Sequence, residues 1–111
     1  MDKMEFRKER MTALVKDVAA SFLKSKSEPG ILISATRVEM SRDFKNATIF
    51  VTVFPEDTED AVIGGLREKD WELRNYAKSR LKIKFLPSFR IEPDKGEKMR
   101  QRLQTILNEK E

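Results

Sequence analysis

Residues 31–54 constrain this chain more than any other stretch. Two runs rich in β-branched and apolar side chains, 31–40 and 47–54, flank the short, mostly polar link Ser41-Arg42-Asp43-Phe44-Lys45-Asn46. Such runs favour extended backbone, because branched side chains pack well on a pleated surface. A link this short leaves room for little but a turn, so the two strands are expected to pair antiparallel. In the second run Ile49, Val51 and Val53 alternate with Thr48, Phe50, Thr52 and Phe54, which predicts a core face and an opposite face carrying two aromatics. Those rings either stack on nucleic-acid bases or lie beneath another element.

On both sides the period changes to that of a helix. Over 4–24, Met11, Leu14/Val15, Val18/Ala19 and Phe22 form one stripe. Lys26-Ser27-Glu28-Pro29-Gly30 should end it, since proline pushes its predecessor out of helical backbone and glycine permits a sharp turn. The acidic cluster Glu56, Asp57, Glu59 and Asp60 suits the positive end of a helix starting near Ala61. Val62, Leu66, Leu73, Ala77 and Leu81 then keep a helical period, while Gly64-Gly65 and Arg67-Glu68-Lys69-Asp70 predict two short helices or one bent one. From Ile83 to Ile91 apolar residues alternate again, predicting a third strand that Pro87 confines to an edge or a bulge. Met99, Leu103 and Ile106/Leu107 predict a last helix from Lys95. The result is an α+β fold in which residues 1–111 form one domain.

Missing residue types narrow the chemistry. The chain of 111 residues has neither cysteine nor histidine, which removes disulfides, Cys or His nucleophiles, His acid–base catalysis and zinc fingers. Its four glycines, at 30, 64, 65 and 96, permit neither a P-loop nor a dinucleotide fingerprint. The acid pairs Glu56/Asp57 and Glu92/Asp94 fall at an expected helix start and an expected strand-to-helix turn, so structural roles are expected of both. No catalytic residue, metal site or cofactor is therefore expected. No stretch approaches the roughly 20 apolar residues of a membrane span, and the N-terminus lacks a secretory apolar segment, so a soluble cytoplasmic protein with no membrane partner is expected.

Charge is distributed unevenly. The formal +4 is the difference between 23 Lys+Arg and 19 Asp+Glu, yet residues 46–66 hold four acids and no base. Residues 73–91 hold six bases, Arg74, Lys78, Arg80, Lys82, Lys84 and Arg90, and no acid. With Lys82 and Lys84 on the predicted third strand beside the helix bearing Arg74 and Lys78, these cations would form a phosphate-binding face. Arg37, Arg42 and Lys45 near the hairpin, and Lys3, Arg7, Lys8 and Arg10 on the first helix, would extend it. The competing reading is an ordinary solvated surface. Trp71 and Tyr76 are expected to serve packing before stacking on RNA.

The element order is that of a type II KH domain, a single-stranded RNA-binding fold, without the GxxG loop that clamps the backbone in such domains. The run 38–53, Val-Glu-Met-Ser-Arg-Asp-Phe-Lys-Asn-Ala-Thr-Ile-Phe-Val-Thr-Val, closely resembles the V-x-x-S-x-D-(L/F)-x-x-A-x-(V/I)-(Y/F)-V segment of bacterial ribosome-binding factor A. Leu73-Arg74 followed by residues 81–91 is similar to that family's (I/L)-R and L-x-(L/I)-R-x-x-P-x-(L/I/F)-x-F blocks, and Asp94 falls where an aspartate is usual. Together the blocks cover about residues 4–107. Lys69-Asp70-Trp71 stands where the family bends its central helix at an Ala/Ser-x-Gly kink, and the chain stops at Glu111, short of the charged tail of longer members.

The resemblance implies a non-enzymatic factor that binds the immature 30S subunit and 16S rRNA, supports late maturation and rRNA processing, and belongs to cold-shock adaptation. It is expected to act as a monomer, with the cations above as phosphate contacts and Ser41 and Asp43 fixing the hairpin turn by side-chain hydrogen bonds. Two other classes stand beside it. One is a general single-stranded RNA or DNA binder stacking bases on Phe50 and Phe54. The other is a protein-interaction module using an exposed strand edge and the acidic 56–60 segment.

Overall fold

A computed structural model describes residues 3–109. Helix α1 (Lys3–Lys26) buries Val15, Ala19, Phe22 and Leu23, a 4-3-1 spacing that lays one stripe along the sheet. Leu14, read as part of that stripe, sits at its edge and is 42% exposed. The helix ends where expected: Gly30 takes a left-handed φ of 87°, and the Ile31 N–H donates to the Glu28 carbonyl at 2.8 Å, turning the chain into the sheet.

Strands β1 (Leu32–Met40) and β2 (Asn46–Phe54) pair antiparallel, with Leu32 opposite Phe54 and Met40 opposite Ala47. An irregularity between Ala35 and Arg37 leaves Thr36 without a partner residue. Ala47, Ile49, Val51 and Val53 point into the core, as the alternation predicts. On the other face Phe50 is half-buried and Phe54 is exposed.

The acidic cluster begins as a 3₁₀ turn (Glu56–Thr58) and continues directly into α2 (Glu59–Glu68), two residues earlier than expected. No side chain caps this helix. Instead Glu56 and Glu59 reach across to the last helix: the Lys98 ammonium lies 2.6 Å from Glu59 and 3.3 Å from Glu56, and Arg102 also pairs with Glu56. Both carboxylates hold Lys98 protonated, its pKa raised chiefly by the Glu59 hydrogen bond. The central helical region is split, and the break is at Lys69, with φ −106° and ψ 38°, before α3 (Asp70–Arg80). The break thus falls within Lys69-Asp70-Trp71 and gives two short helices.

The third strand is shorter than its sequence pattern. β3 is Ser88–Pro93, parallel to β2, with Asn46 opposite Ser88 and Ile49 opposite Ile91. Residues 82–87 form no strand, so Lys82 and Lys84 lie on a loop. Pro87 has no N–H to offer a ladder, and pairing starts one residue later, where the Ser88 N–H donates to the Lys45 carbonyl at 2.7 Å. Phe85, which the alternation would turn inward, is 80% exposed. The sheet order is β1-β2-β3, placing β3 at an edge, and the Arg67 guanidinium of α2 donates to the Ile91 carbonyl at 2.8 and 3.0 Å.

Helix α4 (Lys95–Glu109) follows, started by Asp94, whose Oδ1 accepts the Glu97 N–H at 3.0 Å. Its apolar stripe is not buried: Met99, Leu103, Ile106 and Leu107 are each about half exposed. The order α1-β1-β2-α2-α3-β3, with α4 appended, is the type II KH order. Among the described residues no helix is long and apolar enough to cross a membrane.

Candidate RNA-binding surface

The β1–β2 turn is built by two side chains. The Ser41 hydroxyl donates to Asp43 Oδ1 at 2.7 Å and accepts the Asn46 N–H at 2.9 Å, while Asp43 Oδ1 also accepts the Lys45 N–H at 3.0 Å. The Ser41 hydroxyl, then the Lys45 N–H, hold the Asp43 carboxyl below the usual aspartate range. Between them Phe44 is driven to φ 61°, a left-handed conformation that a bulky residue rarely adopts.

Two further segments meet this turn. The loop after α3 is pinned at its far end by the Ser88–Lys45 hydrogen bond and by Arg74, whose guanidinium donates to the Pro87 carbonyl at 3.2 Å. Its near end brings Lys82 and Ile83 towards Phe44, and the first half of α1 brings Arg7, Arg10, Met11 and Leu14 to the same place. Together they line a groove of about 470 Å³ with an apolar floor and a cationic rim. Arg42 and Lys45 on the turn, and Lys84 on the loop, are exposed. Among the described residues no acid forms an ion pair with Arg7, Arg10, Arg42, Lys45, Lys82 or Lys84. Cations without partners keep their charge free for phosphate.

The other bases singled out in the sequence lie elsewhere. Arg74 is half-buried and engaged with the Pro87 carbonyl. The Arg80 guanidinium lies 3.6 Å from the centre of the Tyr76 ring, and Lys78 is exposed on α3. Arg90 lines a separate crevice with Arg67, Asp70 and Glu92. Arg37 stacks 3.8 Å above Phe50 and pairs with Glu39 and Asp94, so it covers one of the two aromatics offered as base platforms. Tyr76 packs edge-on to Phe22 at 5.4 Å, whereas Trp71 is 60% exposed and does not pack as expected.

Asp94 gathers the rest of the outer face. Its Oδ2 accepts the Thr36 hydroxyl at 2.5 Å and faces Arg37 Nε at 3.4 Å. The Thr36 hydrogen bond, then the Glu97 N–H, depress its pKa. Of the acid pairs, Glu56 pairs with Lys98 and Arg102, Glu92 with Arg67, and Asp94 starts α4. The apolar floor of Met11, Leu14, Phe44 and Ile83 was not singled out from the sequence as a site. Its one visible trace is Leu14, the residue on the margin of the first helical stripe.

The family model for ribosome-binding factor A matches residues 7–107. The chain belongs to the ribosome-binding factor A family. A ribosome-binding factor A from Magnetococcus marinus is 30% identical over 109 residues, spanning 95% of this chain and 89% of that protein. The crystal structure of ribosome-binding factor A from Thermus thermophilus superposes with a TM-score of 0.69 at 22% identity, covering 78% of this chain and 93% of that one. A Thermus thermophilus ribosome-binding factor A homology model, fitted into a cryo-EM map of a 30S complex, gives a TM-score of 0.67 at 21% identity, covering 75% and 90%. The KH-like fold of ribosome-binding factor A is thus shared by this chain.

Proposed function

We propose that this chain binds the free 30S ribosomal subunit or its precursor, contacts 16S rRNA, and supports late small-subunit maturation and rRNA processing without catalysing a reaction. Family membership over residues 7–107 carries the reading, and the Thermus relative placed in a 30S complex supplies its partner. The unpaired cations at the turn end of the fold supply the chemistry, because phosphate binding needs charges that no internal acid neutralises. Such a factor acts by differential affinity: tighter binding to immature RNA conformers shifts their population, and release follows when that surface is lost. A monomer in the cytoplasm satisfies this role.

Co-sedimentation tests it. At physiological salt the wild-type protein is expected to travel with small subunits or their precursors. A variant carrying Glu at Arg7, Arg10, Arg42, Lys45 and Lys82 is expected to stay at the top of the gradient while keeping its circular dichroism spectrum. Unchanged co-migration of that variant refutes the placement of the surface. The general single-stranded binder using Phe50 and Phe54 is less well supported, since Arg37 already covers Phe50.

A further inference from the structure

We infer that the groove between α1, the β1–β2 turn and the loop after α3 seats one unstacked base of single-stranded RNA against Phe44, with Arg7, Arg10 and Lys82 on the flanking phosphates. This rests on the reading of the chain as an RNA binder and names the contact it makes. Four observations converge there.

The groove holds about 470 Å³, within the range of pockets that enclose small planar ligands. Its floor is apolar and partly open: Met11, Phe44 and Ile83 are half-buried and Leu14 is 42% exposed. Its charged lining residues are all cations, and the turn and loop that contribute to it also carry the exposed Arg42, Lys45 and Lys84. An apolar peptide ligand needs no such rim, and a bare phosphate needs no such floor; a nucleotide needs both. Finally, Phe44 is held in left-handed backbone by a turn whose hydrogen bonds all come from Ser41 and Asp43 or the adjoining backbone. Strain of this kind, fixed by surrounding structure, presents the aromatic ring in one place.

Single-stranded recognition generally joins an electrostatic track to an aromatic face, and the stacking part is indifferent to base identity because every base has a π face. The groove therefore selects unpaired nucleotides over duplex without reading sequence.

The test compares oligoadenylate with a ribose-phosphate strand of equal length lacking bases, by fluorescence anisotropy. Wild-type protein is expected to bind the base-bearing strand about tenfold more tightly. Phe44→Gly suits the left-handed backbone but removes a ring that also packs against the core, so thermal melts accompany it; the folded variant should bring the ratio close to one while leaving the baseless strand unaffected. Phe44→Trp should retain the preference, and Leu14→Ala, which trims the apolar floor without adding charge, should weaken the base-bearing strand alone. Equal wild-type affinities, no binding of oligoadenylate, or a preference that survives Phe44→Gly overturns the assignment. Co-sedimentation of wild-type protein with small subunits is read separately. Its failure ends the ribosomal reading and leaves a measured base preference standing, whereas its success without a base preference ends the pocket alone.

Discussion

Arg7, Arg10 and Lys82 line the groove, and Arg42, Lys45 and Lys84 are exposed on the turn and loop that contribute to it; together these six cations set how binding to single-stranded RNA depends on salt. Each phosphate neutralised on a single strand releases condensed counterions and contributes about −0.7 to the slope of log affinity against log salt. If all six engage, the slope is about −4, and a fourfold rise in salt lowers affinity about 300-fold. Replacing Arg7, Arg10 and Lys82 with Ala halves the count. The slope should fall to about −2 and the same salt step should cost only about 20-fold. Arg37→Ala is the control: its guanidinium is committed to Phe50, Glu39 and Asp94, so the slope should not move. Anisotropy titrations across a salt series give these slopes, and thermal melts on the same samples confirm folded protein. A slope near −4 in the triple variant, or an equal drop in Arg37→Ala, would refute the assignment of charge to this end of the molecule.

Two predictions concern how α4 is attached. Asp94→Ala removes the helix cap and the acceptor of the Thr36 hydroxyl, costing about 2–3 kcal/mol, whereas Asp94→Asn keeps most of the cap. Because the folded pKa of Asp94 is depressed, its contribution is complete above the ordinary value of about 3.9 and is lost as pH falls through the lower folded value. The melting difference between wild type and Asp94→Ala should therefore narrow on acidification below about pH 4; a constant difference speaks against a charged acceptor. Lys98→Ala strands the buried Glu59 carboxylate, whose second oxygen already lacks a partner, and should cost about 2–3 kcal/mol in urea melts. Adding Glu59→Gln should recover most of it, and failure to recover assigns the loss to packing of the lysine stem.

The fold was legible because its signals are local. Alternation at Ile49, Val51 and Val53, the stripe ending at Phe22 and the Pro29-Gly30 stop each depend on neighbours within a turn or two. The third strand misled because alternation over 83–91 continues through a residue that cannot join a ladder: the period describes side chains, and Pro87 is a backbone fact. The proposed surface was legible only in part, for a different reason. Six bases between Arg74 and Arg90 look like a unit along the chain, but that stretch crosses a helix, a loop and a strand, which send them in separate directions. Arg74 serves a carbonyl, Arg80 serves Tyr76, and Arg90 lines a separate crevice. The groove draws instead on Arg7 and Arg10, Phe44, and Lys82, from three distant segments, each weak alone. That convergence is a property of tertiary packing, and no single window of sequence contains it.

Asp43 lies between Arg42 and Lys45 along the turn, and its position separates two roles of a carboxylate. As a charge it repels phosphate; as an acceptor it holds Ser41 and Lys45 and so keeps Phe44 in its left-handed conformation. Both hydrogen bonds go to Oδ1, an atom that an amide oxygen can replace. Asp43→Asn should therefore preserve the turn, since an asparagine side-chain oxygen accepts the same two hydrogen bonds, while removing a negative charge between Arg42 and Lys45. RNA affinity should rise a few-fold at low salt and the gain should shrink as salt screens it. Asp43→Ala loses both acceptors, frees Phe44, and should weaken binding despite making the surface more positive. If Asn weakens binding as much as Ala, then the negative charge is itself required for the turn. In that case geometry at Phe44 depends on a charge-assisted bond to Ser41, and binding should fall with pH as the depressed Asp43 carboxyl protonates.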